Sequence, residues 1–204
     1  MDFRHPLGVV TPTLDGDVLA VLARADVELS GREVQRALGR GSHTGVRRCL
    51  TRLVHEGIVL ERPAGNALLY RLNRDHLAAP QIEALAVLRL RLFEQLRAAI
   101  RAWDVPPALA AVFGSVARGD ADAGSDLDIL VIRPAGVDDD DEVWRDQVMA
   151  LERSASSWTG NDCRALEYAQ TELPRLRVEE PVIAEIAADG IALAGNLRDL
   201  VSSG

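Results

Sequence analysis

The sequence predicts an α/β (α+β) chain of two parts joined by a long helix, and three observations carry that expectation. Apolar stretches of helical period followed by two short β-prone runs occupy residues 14–72. A broadly apolar helical pattern begins at Pro80. Beyond it, apolar runs at 108–113 and 127–132 flank a Gly-Ser turn, as strands on either side of a sharp reversal would. The expected parts are 1–78, a connecting helix over 79–104, and 105–204 with a small mixed sheet flanked by helices.

In order along the chain, Asp15 caps a helix over Val18, Leu19, Val21 and Leu22. Ser30 opens a second helix with Glu33 at the capping-box spacing, and this helix ends near Gly39. Ser42 starts a third. Its Val46, Leu50, Leu53 and Val54 form one apolar face, leaving His43, Arg47, Arg48, Thr51 and Arg52 on the others until Gly57 stops it. Ile58 to Leu60 and Ala67 to Leu72 then read as a hairpin around Pro63-Ala64-Gly65-Asn66. From Pro80 to about Trp103 the stripe of Leu85, Leu88, Leu92, Leu96, Ala99 and Trp103 is widened by Val87, Leu90 and Phe93. A helix apolar on more than one side is sandwiched between domains or between subunits, so a homodimer is an expectation here. After the loop 134–141, with its four aspartates placed before a helix N-terminus, come a helix to Trp158 burying Val143 or Trp144, and a strand from Cys163 to Tyr168. Thr171 caps one short helix, Pro181 opens another, Ile191 to Leu193 adds an edge strand, and a final helix follows.

The chemistry concentrates in FGSVARGDADAGSDLDILVI, Phe113 to Ile132. Gly114-Ser115 lets the chain turn and present amides and a hydroxyl to a phosphate. Asp126 and Asp128 alternate on a strand, so both carboxylates share one face about 7 Å apart, a hard-oxygen pair that suits Mg²⁺. Gly-Ser, about ten residues, then Asp-apolar-Asp is similar to the signature of the DNA polymerase beta-like nucleotidyltransferase superfamily, in particular its small bacterial members. That resemblance implies a Mg²⁺-dependent transfer of a nucleoside monophosphate from an NTP to an acceptor hydroxyl. It implies two metal ions, held by Asp126, Asp128 and a third carboxylate on a later strand. Glu167 is the choice for that third position because its face carries the small Cys163 and Ala165; Asp162, at the strand mouth, is the alternative. Gly114 and Ser115 would grip the leaving phosphates. Arg118 would add a fixed charge there, or pair with Asp120 or Asp122.

The first part resembles a winged helix-turn-helix domain over about 60 residues, in which the third helix enters a major groove and the wing meets phosphate. His43, Arg47, Arg48, Arg52, Arg62 and Arg71 are the candidate nucleic-acid contacts. Such domains also serve as dimerisation or protein-docking modules. Residues 1–80 carry eleven arginines against nine acids, a balance of +2, whereas the whole chain stands at −8. There is no lysine, so every fixed cation is a guanidinium.

The two cysteines, Cys49 and Cys163, are far apart and read as buried thiols rather than a disulfide or metal knuckle. No apolar run reaches the roughly 20 residues of a membrane span, and the first residues lack a secretory signal pattern, so a cytoplasmic location without membrane contact is expected. Two functions follow. One is a nucleotidyltransferase acting on a protein, RNA or small-molecule acceptor. The other is a winged-helix DNA-binding regulator whose nucleotidyltransferase domain senses nucleotide or is inactive.

Overall fold

The structure is a computed structural model and describes residues 1–201. The chain divides into two compact units, one of Asp2 and Arg4–Arg89, the other of Met1, Phe3 and Leu90–Gly204.

The first unit contains α1 (Leu14–Arg24), β1 (Leu29–Ser30), α2 (Gly31–Leu38), α3 (His43–His55), β2 (Val59–Ala64), β3 (Ala67–Leu72) and α4 (Ala79–Ala86). The Ser30–Glu33 capping box forms: the Glu33 carboxylate accepts from the Ser30 amide at 2.7 Å, and Ser30 Oγ accepts from the Glu33 amide. Ser42 Oγ caps α3 by accepting from the Gly45 amide at 3.0 Å. Asp15 does not cap α1. Thr13 holds that position, and Asp15, two residues further in, pairs with Arg52 of α3 at 2.9 Å. The hairpin gains a strand that its two apolar runs did not announce. Leu29 and Ser30 pair antiparallel with Tyr70 and Leu69, giving the sheet order β1-β3-β2. Val18, Leu22, Val46, Leu50, Val59 and Leu72 fill the core beneath it.

Residues 79–104 form two helices rather than one. Val87, at φ −112° and ψ 20°, leaves the helical region between α4 and α5 (Leu88–Arg101). The cause lies in packing, since neither Pro nor Gly is present to break the run. Ala86, Ile82 and Leu85 pack with Leu7 and Ala20, whereas Leu92, Phe93, Leu96 and Ile100 pack in the core of the second unit. The unusually wide apolar surface is thus two narrower stripes on two helices.

The second unit continues with β4 (Leu109–Phe113), α6 (Gly114–Arg118), β5 (Leu127–Arg133), α7 (Glu142–Thr159), β6 (Cys163–Ala169), α8 (Leu173–Glu179), α9 (Pro181–Asp189) and β7 (Ile191–Ala194). Its sheet runs β6-β5-β4-β7. It is mixed, because β5 is parallel to β6 and β4 is antiparallel to both β5 and β7. Along β5, Leu127, Ile129 and Val131 face a core shared with Leu96, Trp144 and Leu151, while Leu130 and Ile132 face Leu173, Leu176, Ile183 and Ile186. Strand β5 is therefore buried on both faces, which is why it reads as a continuous apolar run. Of the four aspartates before α7, Asp141 is the cap, accepting from the Trp144 amide at 2.9 Å. Thr171 lies within a 3-10 turn, Gln170–Glu172, and the expected final helix is a single 3-10 turn, Leu197–Leu200. Among the described residues no helix is long and apolar enough to cross a membrane.

Candidate active site

The two faces of β5 end differently. At its N-terminal end Asp128 replaces the apolar residues of the Leu130 and Ile132 face, directly opposite Phe113 of antiparallel β4. The next residue on β4's path is Gly114, which turns with φ +68° into α6. A Cβ at that position would lie 3.0 Å from Asp128 Oδ2. Only glycine allows the backbone to pass this close to the carboxylate while adopting a left-handed φ. Gly114, Ser115, Asp126 and Asp128, predicted from the motif, are thus gathered at one end of the two central strands.

Burial, reinforced by the charge of nearby Asp126, raises the Asp128 carboxyl above the usual carboxylate range, and Arg164 opposes the rise. Asp126 is more exposed, and its Oδ2 lies 3.4 Å from Arg164 Nη1. Two carboxylates this near one another form a natural cation site, because a divalent ion removes their mutual repulsion. Asp126 and Asp128 would hold such an ion. Arg118, on α6, lies 3.5 Å from Asp120 Oδ2, so its ion-pair role is the one seen. It also lines a cavity of about 330 Å³ beside Gly114, together with Phe113, Val182, Glu185, Ile186 and Asp189.

Glu167 is not brought to this end. In the parallel ladder Asp128 is level with Arg164, and Glu167 is level with Val131, whose side chain faces the α5 and α7 core. Registered neighbours on parallel strands point to the same side, so Glu167 lies on the opposite face from Asp126 and Asp128. Its Oε1 accepts from Arg133 Nη1 at 2.8 Å and from Trp144 Nε1 at 2.9 Å. These contacts anchor α7 to the sheet. Asp162 shares the parity of Arg164, and its Oδ2 accepts from Arg164 Nε and Nη2 at 3.1 and 3.0 Å. Among the described residues no three His, Cys, Asp or Glu side chains converge as a metal site. Arg164 escaped the sequence reading altogether, since nothing in Cys-Arg-Ala marks it; only the strand register places it.

Cys163 is buried, and its burial pushes the thiol up to about 12; Cys49, half-buried beside Asp15, is pushed up to about 11. Neither is a thiolate at neutral pH.

Of the candidate nucleic-acid contacts in the first unit, three are tied to carboxylates. Arg62 Nε donates to Glu28 Oε2 at 3.0 Å, Arg71 lies 3.8 Å from Glu28 Oε1, and Arg52 pairs with Asp15. His43 and Arg47 line a cavity of about 650 Å³ with Arg32, Ser30, Asn66 and Tyr70. His43, Arg47 and Arg48 also line a second cavity, along the exposed side of α3.

Two outcomes are expected. An Asp whose folded pKa is raised contributes stability that is complete below its unfolded pKa of about 3.9 and is lost as pH rises through the folded value. In chelator-treated protein, Asp128→Asn should therefore raise the melting temperature at pH 7 and leave it unchanged at pH 3, as followed by circular dichroism. Glu167→Gln, which removes the charge partner of Arg133, should lower stability in a urea titration by about 1–2 kcal/mol. It should leave the affinity for a triphosphate, measured by calorimetry, as in the parent.

No curated protein matches the chain. Among solved structures, a chain from a toxin-antitoxin crystal structure with AMP-PNP is 22% identical, with TM-score 0.36, covering 53% of this chain and 77% of that one. A chain from a mutant of the MntA-HpeT toxin-antitoxin is 18% identical, with TM-score 0.36, covering 53% and 76% respectively. A third, from the tri-AMPylated Shewanella oneidensis HEPN toxin in complex with MNT antitoxin, is 16% identical with TM-score 0.34, covering 55% and 80%. Residues 94–178, which contain the glycine turn, both aspartates and the strands that carry them, match the family described as "Nucleotidyltransferase domain".

Proposed function

We propose that the second unit is a nucleotidyltransferase that moves a nucleoside monophosphate from an NTP to a hydroxyl of a protein, RNA or small-molecule acceptor. The observation that carries this reading is the approach of the Gly114 backbone to Asp128, so close that a Cβ at Gly114 would lie 3.0 Å from the carboxylate oxygen. A Gly-Ser turn where β4 passes into α6, beside an acid pair at the start of the neighbouring antiparallel strand, would set a polyphosphate against a cation. The family match over residues 94–178 supports the same chemistry.

In this reading the Gly114-Ser115 amides and the Ser115 hydroxyl donate to the terminal phosphates and hold the leaving group. Asp126 and Asp128 hold a divalent cation, Mg²⁺ by the hardness of the donors; when bound it neutralises charge on the phosphates and polarises the α-phosphorus. The cavity bordered by Phe113, Val182 and Ile186 is within the size range of small-ligand sites and gives a nucleoside apolar walls. The acceptor oxygen attacks the α-phosphorus, the bond to the β-phosphate oxygen breaks, and the hydroxyl proton is released. The chain's part is to align these groups and exclude alternatives.

A second reading concerns the first unit. Helix, short strand, two helices and hairpin in that order support a winged helix-turn-helix. The cavity at α2, α3 and the hairpin brings Arg32, His43 and Arg47 together with no carboxylate in its lining. That favours a phosphate-bearing partner, either DNA under regulation or an RNA acceptor delivered to the second unit.

Each reading has its measurement. Full-length protein incubated with Mg²⁺, the four labelled triphosphates in turn and a cell extract should label an acceptor, whose digestion by protease or ribonuclease reveals its class. Asp128→Ala should cut the label by at least about 100-fold, since loss of a partner that only supports a metal ligand already costs up to that much. Equal labelling by parent and variant would refute the transferase. For the first unit, nucleic-acid affinity should fall with salt, and replacing Arg47 and Arg48 by Ala should flatten the log–log salt slope by about 2, one per lost phosphate contact. A slope that those arginines do not change would count against the groove.

A further inference from the structure

We propose that Arg164 occupies the place of a second cation at the Asp126–Asp128 pair, so that the site takes a single divalent ion where its resemblance implied two. The inference rests on the nucleotidyltransferase reading of the second unit and refines it.

The position follows from the backbone. Strands β5 and β6 are parallel, with Leu127 level with Cys163, Asp128 with Arg164 and Ile129 with Ala165. Neighbouring strands lie about 4.8 Å apart, so residue 164 is the β6 position nearest Asp128 on the site's face. A carboxylate there would complete a three-acid metal site. The residue present is a guanidinium, whose charge persists at every pH at which the protein folds.

The side-chain contacts agree with the register. Arg164 Nη1 lies 3.4 Å from Asp126 Oδ2, while Nε and Nη2 donate to Asp162 Oδ2 at 3.1 and 3.0 Å. Arg164 thus does two things at once. It puts a fixed positive charge beside the acid pair, and it engages Asp162, the other carboxylate on that face of β6. Glu167, the remaining acid of the strand, is on the far face, paired to Arg133. A second divalent ion would meet a cation where it needs an anion, and would have no third carboxylate to bind.

The geometry also leaves the guanidinium usable. The Arg164 side chain is 66% exposed, so it can keep Asp162 or turn toward a phosphate oxygen when a triphosphate enters. In either pose it supplies part of the charge that a second ion would have brought. Arg164 is therefore a positioning residue that sets the metal count of the site.

The test reads metal and not turnover. Full-length protein is mixed with Mn²⁺ and an ATP analogue whose α,β-bridging oxygen is replaced by methylene, and the bound metal is examined by electron paramagnetic resonance. Parent protein should give the spectrum of an isolated Mn²⁺, and Arg164→Asp should give the exchange-coupled spectrum of a close pair, with stoichiometry rising from one to two per chain. Arg164→Glu serves as a second variant, with circular dichroism to establish that each folds. A coupled pair in the parent would overturn the proposal, and its loss in Asp162→Asn would then identify Asp162 as the missing ligand. A single ion in the parent and in both folded acidic variants would also overturn it, since Arg164 would not be what excludes the second ion. No bound Mn²⁺ in the parent would overturn the nucleotidyltransferase reading itself, together with this refinement.

Discussion

Strand β5 is enclosed on both faces and by a strand on each side, and the site depends on where that enclosure stops. From Leu127 to Ile132 alternate side chains feed two separate cores, one beneath α5 and α7 and one beneath α8 and α9. A strand held in this way has no freedom to slide, because a shift of one residue would exchange the two apolar sets and bring Asp128 into the wrong core. Asp128 thus sits at the boundary between core and solvent, buried enough to raise its proton affinity and open enough to reach a ligand. Gly114, next to the Phe113 that pairs with Asp128 across the antiparallel β4–β5 ladder, completes the constraint, since a side chain there would crowd the carboxylate on a backbone already at a left-handed φ.

The neighbouring ladder decides what meets the acid pair. With Asp128 level with Arg164, even-numbered residues of β6 share the site's face and odd-numbered ones face α7. Glu167 therefore serves architecture, bridging Arg133 of β5 and the indole of Trp144 on α7, while Trp144 also meets Trp103 edge-to-face at 5.5 Å. Moving the register by one residue would turn Glu167 to the other face and set Cys163 or Ala165, in place of the guanidinium, level with Asp128. The electrostatic character of the site thus rests on a packing decision made across the whole sheet.

In the first unit the lysine-free composition has a visible outcome. Arg40, Arg52, Arg62, Arg71 and Arg74 each meet a carboxylate of the same unit. Pairing of exposed charges contributes little to stability, but it removes these arginines from the count of groups available to a polyanion. Arg32 and Arg36 of α2 and His43, Arg47, Arg48 and His55 of α3 line the cavities around these two helices. A balance of +2 over 80 residues understates that local concentration.

Most of the elements were legible in the sequence because their signals are local. The Ser30–Glu33 box, the apolar period of α3, the Gly-Ser turn and the alternation of Asp126 and Asp128 each depend on residues a few positions apart, and each appears as expected. The split at Val87, the pairing of Leu29 and Ser30 with β3, and the capture of Asp15 by Arg52 were not legible, because each is set by distant partners. The third position of the site is the sharpest case. Sequence parity alone determined that Asp162 and Glu167 lie on opposite faces of β6. Which face meets Asp128 depends on hydrogen bonds between two strands some thirty residues apart, and only the tertiary structure decided that.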